Sequence, residues 1–191
     1  MTRVLTAAGF PSEDETYDGI LLAGLADDLR ASEADKVFVV LHAYTNHGPS
    51  YNTNYPPRFE LFTPVCHTVE MSKTSPEELN NAYDNSIVYT DYLLHEVIEV
   101  LRGVTDRRSL LLFVSDHGES LGENNLYMHG VPLSMAPREQ LEIPFLLWTS
   151  APELSCKDLP EVGQHHVYHT VLRFFGIETP FFDEEMCIFA P

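Results

Sequence analysis

Residues 75–118 read SPEELNNAYDNSIVYTDYLLHEVIEVLRGVTDRRSLLLFVSDHG. Ser75 stands where a helix N-cap belongs, Pro76 at the first helical position and Glu78 at the third. This capping box satisfies backbone N–H groups that a helix start otherwise leaves orphaned. Behind it Leu79, Tyr83, Ile87, Leu94, Ile98 and Leu101 form an apolar stripe, and the pattern ends near Arg102-Gly103. SLLLFVS, residues 109–115, is a continuous apolar run of strand length, which predicts a strand buried on both faces. KVFVVLH, residues 36–42, has the same character. Strand, capped helix and strand in this order predict a right-handed crossover and an α/β fold, with a largely parallel sheet sandwiched by helices. Ligands in such sheets sit beyond the carboxyl ends of the strands. The loops after residues 42 and 115 are therefore the places to look for chemistry.

Working outward, Ile20, Leu21, Leu25 and Leu29 recur at near-helical spacing, which predicts a helix over 17–30. SEDETYD, residues 12–18, reads as a solvated acidic loop leading into it. IPFLLW, residues 143–148, is a third candidate strand, and a last helix over 166–175 is capped by Gly176. No repeat, low-complexity tract or linker divides the 191 residues, a length that suits one domain. The 44% hydrophobic and 11% aromatic content excludes a disordered tail. A net charge of -18 repels phosphate backbones and anionic membranes, so nucleic acid is not an expected partner. A phosphate-handling enzyme stays open, because bound metal ions reverse the sign locally. No apolar run approaches bilayer length and the first ten residues lack a signal-peptide core, so the chain as given is expected to be soluble. Cys66, Cys156 and Cys187 cannot all pair with one another, and there is no CxxC. Buried free thiols are the expectation, with one disulfide and one free thiol as the alternative.

Both central strands run into histidine-bearing loops. The first reads LHAYTNHGP over 41–49 and the second VSDHGES over 114–120, followed by LGENNLYMHG over 121–130. Adjacent strand residues face opposite ways, so Asp116 and His117 can serve one metal only if the chain leaves strand geometry there. Gly118 permits that turn. A carboxylate with an imidazole suits zinc or manganese better than calcium. His-Gly occurs three times, at His47, His117 and His129, and each glycine lets the backbone approach a ligand closely. The plainer reading of His129 is a loop histidine bonded to a carbonyl. His42 reads as a satisfied core residue and His95 as solvent-facing. His165, His166 and His169 look like a metal cluster, but their apolar neighbours favour helix N-terminal packing. Glu119 and Glu123 are acid/base candidates, with solvated loop carboxylates as the competing reading. There is no GxSxG, P-loop, HExxH or GxGxxG motif.

SDHGESLGEN at 115–124, continuing through YMHG at 127–130, closely resembles the signature of bacterial phosphoethanolamine transferases acting on lipid A and related glycans. These belong to the sulfatase-like branch of the alkaline phosphatase superfamily. The resemblance extends through NHGPSY at 46–51, YPPRF at 55–59, FTPVC at 62–66, NAYDN at 81–85, Ala136-Pro137 and Ile143-Pro144. It implies that residues 1–191 are the C-terminal portion of a catalytic domain of this kind. It implies one or two zinc ions, or manganese, with Asp116 and His117 as metal ligands and His47 and His129 facing the phosphoryl donor or a second zinc. It further implies a phospholipid donor, a lipid A or other surface-glycan acceptor, and a parent protein at the periplasmic face of the inner membrane.

The departures from the family pattern are as informative. The resemblance places the family's nucleophilic threonine, a glutamate zinc ligand and a phosphate-contacting lysine upstream of the matching part, so no catalytic nucleophile is assigned to any residue here. In the family Cys66 would pair eight residues on, where Thr74 stands, and a second family disulfide meets Thr16. Two classes of function follow. One is a portion of a zinc-dependent transferase, inactive without its nucleophile segment, with a sulfatase or phosphodiesterase as the variant within that class. The other is a non-catalytic half-domain that acts as a binding or partner-completed module. Either leaves apolar surface uncovered, so self-association is expected.

Overall fold

The computed structural model describes residues 17–191. Thr16 and most of the acidic stretch at 12–18 lie outside the described residues. The elements are α1 (Leu25–Ala31), α2 (Pro76–Arg102), β1 (Leu110–Val114), β2 (Ser120–Leu121), β3 (Tyr127–Met128), α3 (Arg138–Leu141), β4 (Phe145–Thr149) and α4 (His165–Phe175). Single 3-10 turns punctuate the loops between them.

The capping box forms as the sequence predicts. Ser75 Oγ accepts from Glu78 N at 3.2 Å, and Glu78 Oε2 accepts from Ser75 N at 3.1 Å. The Ser75 hydroxyl, donating to Glu78 Oε2 at 2.7 Å, and the Ser75 N–H together hold the Glu78 carboxyl below the usual carboxylate range. The face that α2 buries differs from the apolar stripe. It runs through Leu79, Ala82, Ser86, Tyr89, Leu93 and Val97, with Asn85 and Thr90 beside it, while Ile87 is exposed. Hydrophobicity alone misplaces this face because three of its members are polar and hydrogen-bonded. Asn85 is the clearest case. Its Oδ1 accepts from the backbone N–H of Leu61 and Phe62, and its Nδ2 donates to Phe62 O and the Tyr55 hydroxyl.

The helix predicted over 17–30 is two pieces. A 3-10 turn at Asp18–Leu22 precedes α1, and Gly24 between them takes a positive φ of 71°. The predicted strands at 109–115 and 143–148 appear as β1 and β4, which pair antiparallel with Leu112 opposite Leu147. The mixed helix and sheet composition stands, but a largely parallel sheet is not formed among the described residues. Residues 36–42 join no ladder there, and a strand needs a neighbour to accept its hydrogen bonds. Instead of being buried on both faces, Phe38 is 66% and Val40 72% exposed. The Phe38 ring still meets Phe175 of α4 edge-on. The last helix is as predicted, and Gly176 adopts the left-handed cap.

Two clusters form the core on one side of α2. One gathers Tyr51, Val65, Cys66, Met71, Leu79 and Ala82, and the other Tyr55, Tyr89 and Leu93. All three cysteines are free, with Cys66 and Cys187 buried and Cys156 exposed. Burial pushes the Tyr51 and Tyr83 phenols up and moves Tyr55 from 10.0 to about 12. Phenols that ionise later in the folded chain than at their unfolded value near 10 contribute stability that is complete below pH ~10. That contribution is lost as pH rises through about 12 for Tyr55. Cooperative alkaline unfolding, with tyrosinate absorbance rising together with loss of far-UV circular dichroism, is the expected outcome. Ionisation of Tyr51, Tyr55 and Tyr83 near pH ~10 with secondary structure intact would contradict it.

Candidate functional site

The loop carrying His47 is fastened at two points just before that residue. Asp18 Oδ2 accepts from Tyr44 N at 2.6 Å, Thr45 N at 2.7 Å and the Thr45 hydroxyl at 2.6 Å. Asn46 reaches α2, donating to Ser86 Oγ at 2.8 Å and accepting from Thr90 Oγ1 at 2.7 Å. His47 then stacks on Tyr44, with centroids 4.9 Å apart and planes 12° from parallel. Its Nδ1 lies 2.7 Å from the Gly48 carbonyl oxygen.

The second loop starts where β1 ends. The chain leaves strand geometry after Val114, as two neighbouring ligand residues require. Gln164 at the start of α4 donates through Nε2 to the carbonyls of Ser115 and Asp116, each at 2.8 Å. Gly118 N donates to Gln140 O at 3.1 Å. Here the absence of a side chain matters, since a Cβ on Gly118 would stand 2.0 Å from Glu139 O. The His117 Nδ1 lies 3.0 Å from Gly118 O. The β2–β3 hairpin, with Ser120 opposite Met128, returns the chain so that His129 faces His117.

The three His-Gly histidines converge. His117 and His129 stack with centroids 3.6 Å apart, and His47 stands edge-on to both at 6.0 and 5.2 Å. One ligand atom from each of His47, His117 and His129 lies within 4.8 Å of the others. The hydrogen bonds decide which atom is available. A carbonyl or carboxylate oxygen only accepts, so each Nδ1 must carry the proton it donates. That leaves Nε2 of each ring with its lone pair. Histidines that bind metal show this pattern, the second nitrogen fixing tautomer and direction. Three such nitrogens suit zinc, whose imidazole ligands stand about 2.0–2.1 Å from the ion, better than manganese, which favours oxygen.

Asp116 is beside this group rather than in it. Its side chain is 80% exposed, with Oδ1 3.7 Å from His117 Nε2. Elsewhere the structure separates the histidines. His42 is exposed rather than a core residue, and His95 is exposed as predicted. His166 is buried and accepts from Gly163 N through Nδ1, so it packs at the start of α4. Among the described residues, His165, His166 and His169 form no ligand group.

The sulfatase family model matches residues 3–177. The chain belongs to the sulfatase family. It is similar to phosphoethanolamine transferase EptA of Escherichia coli strain K12, 37% identical over 93% of this chain and 35% of that protein. It is also similar to phosphatidylethanolamine transferase Mcr-1 of Escherichia coli, 41% identical over 71% of this chain and 25% of that protein. The chain therefore spans about a third or less of the length of these curated relatives. Among solved structures, the C-terminal periplasmic domain of phosphoethanolamine transferase EptC from Campylobacter jejuni superposes with a TM-score of 0.81 at 37% identity, covering 90% of this chain and 57% of that one. The soluble domain of lipooligosaccharide phosphoethanolamine transferase A from Neisseria meningitidis gives 0.81 at 31% identity, covering 96% and 60%. The α/β fold is thus that of the sulfatase-like soluble domains, present in part. No helix among the described residues is long and apolar enough to cross a membrane.

In this sulfatase-family chain the sequence reading undervalues Glu119. It is not a solvated loop carboxylate, because its side chain is only 5% exposed. Its Oε1 receives the His129 Nδ1 proton at 2.5 Å, so His129 is bonded to a carboxylate and not a carbonyl. Its Oε2 receives the Tyr51 hydroxyl at 2.5 Å. Asp18, Asn46 and Gln164 were equally silent as supports. Their partners lie at least 26 residues away along the chain, and no local spacing announces such pairs.

Proposed function

We propose that this chain is the C-terminal portion, residues 1–191, of the catalytic domain of a zinc-dependent phosphoethanolamine transferase. Its donor is a phospholipid and its acceptor lipid A or another surface glycan, at the periplasmic face of the bacterial inner membrane. The similarity to enzymes named for that transfer supports the substrate class. The observation that carries the reading is the convergence of His47, His117 and His129, each with Nδ1 engaged and Nε2 open. Bound zinc supplies positive charge that neutralises phosphoryl oxygens and lowers the pKa of an attacking hydroxyl. His117 would hold the ion together with Asp116, whose Oδ1 lies 3.7 Å from His117 Nε2. His47 and His129 hold the phosphoryl group or a second ion. The attacking threonine is assigned to no residue here, and the exposed run at Phe38, Val39 and Val40 is a face that further protein covers. That face also supports self-association of the chain when it stands alone.

Zinc titrated calorimetrically into the full chain tests this. The wild type should bind, and the His117→Ala variant should lose at least the roughly 10–100-fold that removing a mere outer-shell partner costs. Equal affinities in the wild type and a His47→Ala, His117→Ala, His129→Ala triple variant would remove the metal assignment. Robust lipid transfer by these 191 residues alone would overturn the placement of the nucleophile elsewhere.

A further inference from the structure

Glu119 is a carboxylate almost wholly withdrawn from water, and such a group is costly unless both oxygens are engaged. Both are, by Tyr51 from before α2 and by His129 from just after β3. Tyr51 is 0% exposed and packs edge-on against Tyr83 in the core. Burial and the neighbouring carboxylate push its phenol far above the ordinary range, so it stays a donor at every working pH. The phenol is thus a fixed point, anchored in the core and directed at the site.

Two further contacts give this hub a consequence beyond packing. Glu119 Oε1 is 2.5 Å from His129 Nδ1 but 3.8 Å from His117 Nδ1, which Gly118 O already serves. The carboxylate is therefore committed to one imidazole of the stacked pair. On the other side the phenol lies against Gly48, where a Cβ would stand 2.6 Å from the Tyr51 hydroxyl oxygen. Gly48 is the residue whose carbonyl takes the His47 Nδ1 proton.

We propose that Tyr51 and Glu119 form a positioning relay that sets the tautomer and direction of His129 and seats the Gly48 carbonyl that fastens His47. Neither touches the reacting groups. The relay deepens the three-imidazole reading and rests on it only for its purpose. Tyr51 holds Glu119 in the rotamer that reaches His129, and Glu119 keeps the His129 proton on Nδ1, which leaves the Nε2 lone pair free. A purely structural pair would stabilise the fold and leave the imidazole indifferent.

The test is 15N NMR of histidine-labelled, metal-free full chain at a pH where the rings are neutral, with zinc calorimetry on the same samples. In the wild type His129 should show a single form, protonated at Nδ1. Glu119→Ala should convert it to a mixture of tautomers. Glu119→Gln, which offers one amide oxygen to two donors, should give an intermediate mixture. Tyr51→Phe should give a partial mixture, and zinc affinity should fall about 10-fold or more wherever the tautomer is released. A wild-type signature for His129 in folded Glu119→Ala overturns the relay. Should Tyr51→Phe fail to fold, the two Glu119 variants decide alone. Absence of zinc binding by the wild type, with the tautomer series intact, removes the metal reading and leaves the relay standing. Zinc binding with no tautomer change does the reverse.

Discussion

Gly118→Ala should lower the melting temperature by roughly 6–12 °C and weaken the zinc binding proposed above. An added Cβ would sit 2.0 Å from Glu139 O and 3.0 Å from the carbon of that carbonyl. Backbone cannot rotate away as a flexible side chain can, so the loop or α3 must move. Overpacking of this kind costs about 3 kcal/mol, and a domain of this size moves roughly 2–4 °C for each kcal/mol. The displacement is directed at the site, because Gly118 N is tied to Gln140 O and Gly118 O receives the His117 ring proton. Gly103→Ala is the matched control. Gly103 has helical φ and ψ of -74° and -11°, and its nearest obstacle is at 3.3 Å. Thermal melts of the two variants check the claim, and equal melting temperatures would refute it.

Asn85→Ala should be of similar size and act through α2. It strips partners from two backbone N–H groups, one carbonyl and the Tyr55 hydroxyl around a fully buried position. Each buried group left unsatisfied costs on the order of 1–3 kcal/mol, moderated where water can enter the space left behind. A net loss of about 3 kcal/mol is expected, read as a shift in the urea midpoint. Faster amide exchange at Leu61 and Phe62 should accompany it. A midpoint within error of the wild type would mean that the 59–62 segment does not depend on this side chain.

The sequence announces what is local. Ser75, Pro76 and Glu78 sit within four residues, and their box forms as expected. The β1 run and the three His-Gly dipeptides are short patterns too, and the structure brings those histidines together. What is not local stays hidden. The buried face of α2 is obscured because Asn85, Ser86 and Thr90 are buried through hydrogen bonds, which hydropathy cannot see. Strand pairing fails for a related reason. Residues 36–42 have strand composition, yet pairing depends on a neighbour that composition does not specify. Glu119 was ambiguous until its two partners were known, and one of them is 68 residues away.

The way the rings are pinned bears on how such a centre is transplanted. His47 and His117 each take their tautomer from the residue immediately following, so a dipeptide with the right loop conformation carries its own instruction. His129 takes its instruction from a carboxylate that a distant phenol keeps in place. A designer moving this triad to a foreign scaffold could copy the first two as cassettes, but would have to rebuild a piece of the interior to bring the third.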